Sequence, residues 1–86
     1  MKKLKMFVLK NCPYCKQAFA MMEQLCTENP EYRQIEIEVI EETEHPEIAE
    51  KYDYYYVPCY FMEEKKLFEG VPTLKKIRKV LETAKA

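Results

Sequence analysis

The chain has one glycine, Gly70, no tryptophan, and almost no net charge. A single glycine among 86 residues excludes collagen-like and low-complexity segments, and no internal repeat is present. A net charge of −1 beside 48% apolar residues excludes a disordered tail, which combines low hydrophobicity with high net charge. Near neutrality also removes any global reason to expect nucleic acid or an anionic membrane as partner. Long hydrophobic runs are missing as well. Leu4 to Leu9 is the longest apolar stretch near the start, and Lys5 interrupts it, so neither a membrane span nor a secretion signal is expected. Without linker-like composition, residues 1–86 are expected to form one small domain with a modest core.

What the composition does offer is four cysteines. Cys12 and Cys15 form a Cys-x-x-Cys pair, while Cys26 and Cys59 stand alone, which is not the spacing of a disulfide framework. The expected compartment is the cytoplasm, where paired thiols serve redox chemistry or bind metal.

Around the pair, the chain alternates short strands and helices. Leu4 to Leu9 carries apolar residues on both faces, as a strand covered on both sides does. Pro13 fits a first helical position, and Ala18, Phe19, Met21, Met22, Leu25 and Cys26 outline a helical apolar face that runs to about Thr27. Ile35, Ile37 and Val39 alternate with Glu36 and Glu38, the pattern of a half-buried strand. His45-Pro46 opens a short helix with Ile48, Ala49 and Tyr52. Val57 to Met62 reads as a strand broken by Pro58, and a polar turn, Glu63 to Lys66, leads to a short strand at Leu67-Phe68. After Gly70, Pro72 is expected to start a last helix with Leu74, Ile77, Leu81 and Ala84 on its buried stripe. The order β-α-β-α-β-β-α predicts an α/β domain. Its four-stranded sheet is mixed, with strands one and two parallel, the last two antiparallel, and helices on both faces.

In this order Cys12-Pro13-Tyr14-Cys15 lies where the first strand gives way to the first helix. Free backbone amides and the helix dipole stabilise a thiolate at Cys12, and Lys10 and Lys16 flank it. Cys15, one turn on, is placed to close a small disulfide ring and is expected to be the more buried. Cys12 is therefore the candidate that attacks a disulfide, and Cys15 the one that resolves the mixed disulfide. Structural zinc commonly takes two such pairs of ligands, and the chain has one pair, two isolated cysteines and His45. No metal ligands are assigned.

These residues resemble the glutaredoxin branch of the thioredoxin superfamily. Cys-Pro-Tyr-Cys is typical of dithiol glutaredoxins, and Val57-Pro58 resembles that family's Val-Pro, whose proline is cis and faces the active site. The resemblance extends over essentially the whole chain. It implies a thioredoxin-like fold and a thiol–disulfide oxidoreductase that acts as a monomer on disulfide-containing proteins. It further implies glutathione as reductant or cosubstrate with no bound cofactor. Lys10, Pro13, Tyr14, Val57, Pro58, Gly70 and Thr73 would line the substrate or glutathione groove, with the backbone of Val57 pairing with the bound chain. The sequence departs from the family in three places. Tyr56 replaces the usual Thr before Val-Pro, Glu69-Gly70-Val71-Pro72-Thr73 replaces a Gly-Gly and acidic pair, and Lys10 stands two rather than three residues before the first cysteine. Two other readings follow from these features: a thioredoxin-like donor recycled by a flavin-dependent reductase, and a protein holding a metal or iron–sulfur centre through Cys12.

The remaining features have plainer readings. Cys59 follows Pro58, but strand alternation turns its side chain away from Cys12, and a small buried hydrophobe is expected there. Cys26 reads as core, and His45 as a helix-start residue. Tyr52, Tyr54, Tyr55 and Tyr56 read as packing at a strand edge, with a protein-docking surface as the functional alternative. From Glu28 to Glu50 there are nine acids and one base, and from Val71 to Ala86 five bases and one acid, which read as solvated faces.

Overall fold

The computed structural model describes all 86 residues. Its strands are β1 (Leu4–Val8), β2 (Ile37–Glu41), β3 (Cys59–Met62) and β4 (Lys65–Glu69). Its helices are α1 (Pro13–Glu28), α2 (Pro46–Ala49) and α3 (Leu74–Lys85), with a 3₁₀ turn over Pro30–Gln34. The strands form one sheet in the order β2-β1-β3-β4. β2 runs parallel to β1, and β3 and β4 are antiparallel to their neighbours. This is the expected thioredoxin-like α/β arrangement.

β1 has strand neighbours on both sides and side chains buried on both faces, which is why its sequence is apolar at nearly every position. Leu4, Met6 and Val8 face one way, into a core shared with Cys15, Ala18 and Leu25 of α1 and Ile77, Val80, Leu81 and Ala84 of α3. Phe7 faces the other way, into a smaller core with Ile40, Cys59 and Phe61, closed by Ile48, Ala49, Tyr52 and Tyr54. The sheet thus separates two apolar layers, the larger under α1 and α3 and the smaller under α2.

Four local expectations are corrected. Ile35 and Ile37 do reach the larger core, but Val39 is 47% exposed and belongs to neither core, while Ile40 is buried on the opposite face. β2 is an edge strand, and its partner Phe7↔Ile40 draws Ile40 into the aromatic layer. In α1 the buried line is Cys15, Ala18 and Leu25, flanked by Met21 and Met22, and Phe19 falls on its exposed margin. The strand expected from Val57 begins only at Cys59, because the Val57–Pro58 peptide is cis and Pro58 offers no amide to a ladder. Finally, α3 starts at Leu74, not Pro72, because the Thr73 hydroxyl accepts the Lys76 amide at 3.2 Å and so caps the helix. Removing that cap with Thr73→Ala is expected to cost about 1 kcal/mol, measured as a lowered urea midpoint at unchanged slope.

Candidate active site

The turn from β1 into α1 depends on Asn11, which adopts a positive φ of 60°. Asparagine is among the few side chains that accept this left-handed conformation at modest cost. Cys12 follows as the N-cap of α1 in extended conformation. Its Sγ accepts the Cys15 amide at 3.3 Å, and its carbonyl accepts the Lys16 amide at 3.1 Å. The position is one where serine, threonine or aspartate ordinarily serves, and here a sulfur does. The bond gives a partner to one of the amides that a helix N-terminus leaves unsatisfied.

Cys12 is half-buried and Cys15 buried, and both thiols are free. Burial is the main cause that pushes the Cys15 thiol up to about 12, with its hydrogen bond to Cys12 adding to it. The pair is therefore asymmetric: a partly exposed sulfur capping a helix, and beneath it a thiol held in its protonated form.

The other predicted site residues divide. Pro13 is the first residue of α1 and, like Tyr14, is exposed at the surface beside the pair. Val57 packs against the core that contains Cys15, and Cys12 packs against the same core. Pro58 is buried, and its carbonyl accepts the Gly70 amide at 3.1 Å. Gly70 has φ 104°, a conformation that glycine takes without the penalty a side chain brings. Thr73 sits three residues further on, its hydroxyl oxygen engaged by the Lys76 amide. Lys10 is drawn elsewhere: its Nζ pairs with Glu44 at 2.6 Å on the exposed surface. Lys16 has no acidic partner and is exposed, so it is the flanking cation whose charge is uncompensated.

Cys59 lies on the opposite face of the sheet, fully buried among Phe7, Ile40 and Phe61, with burial pushing its thiol up to about 12. Cys26 is half-buried against the larger core. His45 is the N-cap of α2 without a side-chain capping bond. The tyrosine run divides in two: Tyr52 and Tyr54 pack on Phe7 with ring centroids 5.0 and 4.8 Å away, whereas Tyr55 and Tyr56 are exposed.

One residue that the sequence placed only in the altered turn before Gly70 has a bonding role that no local pattern shows. Glu69, at the end of β4, accepts the amides of Tyr55 at 2.8 Å and Tyr56 at 3.0 Å through one oxygen, while the other accepts Lys66 Nζ at 2.7 Å. The partners lie 13 and 14 positions away, beyond any local pattern.

Two surface grooves of about 480 and 450 Å³ exist, one lined by β4 and α3, the other around Lys51 to Asp53, and no cysteine lines either. Neither groove reaches the thiol pair. No three histidine, cysteine, aspartate or glutamate side chains cluster as a metal site. No helix is long and apolar enough to cross a membrane.

A thioredoxin-like sheet with two close cysteines at the head of its first helix defines a thiol–disulfide oxidoreductase. A family model described as a thioredoxin domain matches residues 2–82, and the chain belongs to that thioredoxin-domain family. Among solved structures, oxidised thioredoxin from Plasmodium falciparum superposes with a TM-score of 0.73 at 16% identity, over 98% of this chain and 81% of that one. Fasciola hepatica thioredoxin gives 0.69 at 21% identity, over 95% of this chain and 79% of that one. Thioredoxin 1 from Thermosipho africanus gives 0.59 at 20% identity, over 98% and 99%. At these identities the likeness is one of fold. No curated protein matches the sequence.

Proposed function

We propose that the protein is a dithiol oxidoreductase of glutaredoxin type, reducing protein disulfides or glutathione mixed disulfides through Cys12 and Cys15 in the cytoplasm. The observation that carries the reading is the asymmetry of the pair: Sγ of Cys12 accepts a helix-terminal amide, and the Cys15 thiol is buried and protonated one turn below. The Cys12 thiolate attacks one sulfur of the substrate disulfide. That S–S bond breaks, the departing sulfur takes up a proton, and a mixed disulfide with Cys12 remains. Cys15 then loses its proton and attacks Cys12 Sγ, releasing the second substrate thiol and closing a Cys12–Cys15 disulfide. Two glutathione thiols supply the two electrons that reopen it and leave as glutathione disulfide.

The substrate chain would lie beside Val57. The amide and carbonyl of Val57 make no hydrogen bond within the protein, so both are free to pair with an extended peptide. Tyr14, Gly70 and Thr73 would border the bound tripeptide or peptide.

A second reading has its own support. Lys10 is paired to Glu44 and the Thr73 oxygen caps α3, so two groups expected to meet glutathione are already engaged. That favours a thioredoxin-like donor recycled by a flavin-dependent reductase. The two are separated by coupling reduction of an insulin-type protein disulfide either to glutathione with glutathione reductase or to thioredoxin reductase. Turnover with the glutathione system at more than about ten times the rate with the flavoprotein alone supports the glutaredoxin reading. The reverse ratio overturns it in favour of the second.

A further inference from the structure

From Asp53 to Val57 no backbone amide or carbonyl bonds to another backbone group. The segment is neither strand nor helix, and it leads directly into the cis Val57–Pro58 peptide. Side chains from β4 take over what a ladder would do. Glu69 accepts the amides of Tyr55 and Tyr56, Lys66 Nζ donates to the Asp53 carbonyl at 3.3 Å, and the Lys66–Glu69 ion pair joins these two anchors. Just beyond, the Gly70 amide holds the Pro58 carbonyl. Val57 is therefore suspended between two attachments to one short stretch of β4 and its exit, with its own backbone groups unpaired.

We propose that Glu69 is a positioning residue: its carboxylate holds the Tyr55–Tyr56 backbone so that Val57 presents its free amide and carbonyl in the geometry an extended, disulfide-bearing peptide requires. The proposal rests on the dithiol oxidoreductase reading and adds to it the element that sets peptide binding. A simple surface ion pair would be a poor account of the same residue. Glu69 retains only 20% of its side-chain exposure, and one oxygen receives two consecutive amides, an arrangement that fixes backbone direction. The Lys66 hydrogen bond first, then the two amides, bring the carboxyl down to about 2, so the anchor is charged at any ordinary pH.

The effect is expected in binding rather than in thiol chemistry. Glu69→Ala should raise KM about tenfold for a peptide whose cysteine is disulfide-linked within an extended segment, with kcat changed less than about twofold. Glu69→Gln, which keeps an acceptor oxygen for the amides, should recover most of that loss. The rate at which iodoacetamide alkylates Cys12 should stay within about twofold in both. Independently of turnover, amide hydrogen exchange at Tyr55 and Tyr56 should quicken in Glu69→Ala. Equal losses in kcat and alkylation rate, or unchanged exchange at both amides, would overturn the proposal. Absence of any disulfide reduction by the unaltered protein would instead remove the functional reading, while the exchange experiment still decides whether Glu69 holds the segment.

Discussion

Cys12→Ser is expected to abolish disulfide reduction, by a factor on the order of 10³ or more, with little change in fold. The serine hydroxyl can cap α1 at least as well as sulfur, so the helix start survives. It does not ionise near neutrality, so no nucleophile remains at the exposed position. Cys15 cannot stand in. It is buried, and burial pushes its thiol up to about 12, so it stays protonated through the neutral range. Cys15→Ser behaves differently. The first attack still occurs, and the protein should accumulate as a mixed disulfide, visible by mass spectrometry under non-reducing conditions. Full activity in Cys12→Ser would overturn the mechanism.

The pH dependence follows from the same pair. Part of the upward push on Cys15 comes from its hydrogen bond and charge interaction with Cys12. Once Cys12 is tied up in a mixed disulfide, that part is gone, and Cys15 becomes more acidic at the step that uses it. Burial, the larger cause, persists. Resolution should therefore accelerate as pH rises from 6 to 9, since deprotonation of Cys15 feeds the attack.

Phe7→Ala is expected to have the largest effect on stability, about 3–5 kcal/mol. Phe7 is fully buried, and its ring packs on Tyr52, Tyr54 and Phe61 with centroids 5.0, 4.8 and 5.9 Å away. These four rings form most of the smaller core, so its loss leaves the face under α2 without its centre. Domains of this size hold about 5–15 kcal/mol in total, so the variant should be partly unfolded well below the melting temperature of the parent. Tyr54, whose hydroxyl donates to Glu42 at 3.1 Å, leads into the segment carrying Val57 and Pro58. Loosening Phe7 should thus also disturb the site from behind. Urea unfolding measures the cost directly, and a loss under about 1 kcal/mol would contradict this account of the smaller core.

Much of this architecture was legible in the sequence because local chemistry carried it. Apolar residues on both faces of Leu4 to Leu9 marked a strand covered on both sides, and Pro13 after Cys12 marked a helix start that places the pair. Pro58 in an otherwise apolar strand signalled irregular backbone, which proved to be a cis peptide. What escaped were features set by distant neighbours. The alternation Ile35, Ile37, Val39 says which side chains share a face, but not that this face runs out at the sheet edge while Ile40 finds Phe7. Lys10 lies close to Cys12 in sequence, yet Glu44 claims it in space. Glu69 acts on amides more than a dozen residues away, and only the antiparallel return of β4 along β3 brings them together.

The two-sided sheet has one more consequence. Cys59 is bonded directly to Pro58, so along the chain it is the nearest thiol to the peptide segment at the site. Yet it opens into the aromatic layer, while Cys12 and Cys15 belong to the other. No sulfur from one layer can reach the other without passing through the hydrogen-bonded strands. Cys59 is therefore set apart from the pair, while Cys26, half-buried on the same layer as Cys12, lies about three turns beyond Cys15 along α1. Pairing of Cys59 with Cys12 or Cys15 is opposed by where the side chains point, before reactivity has any say.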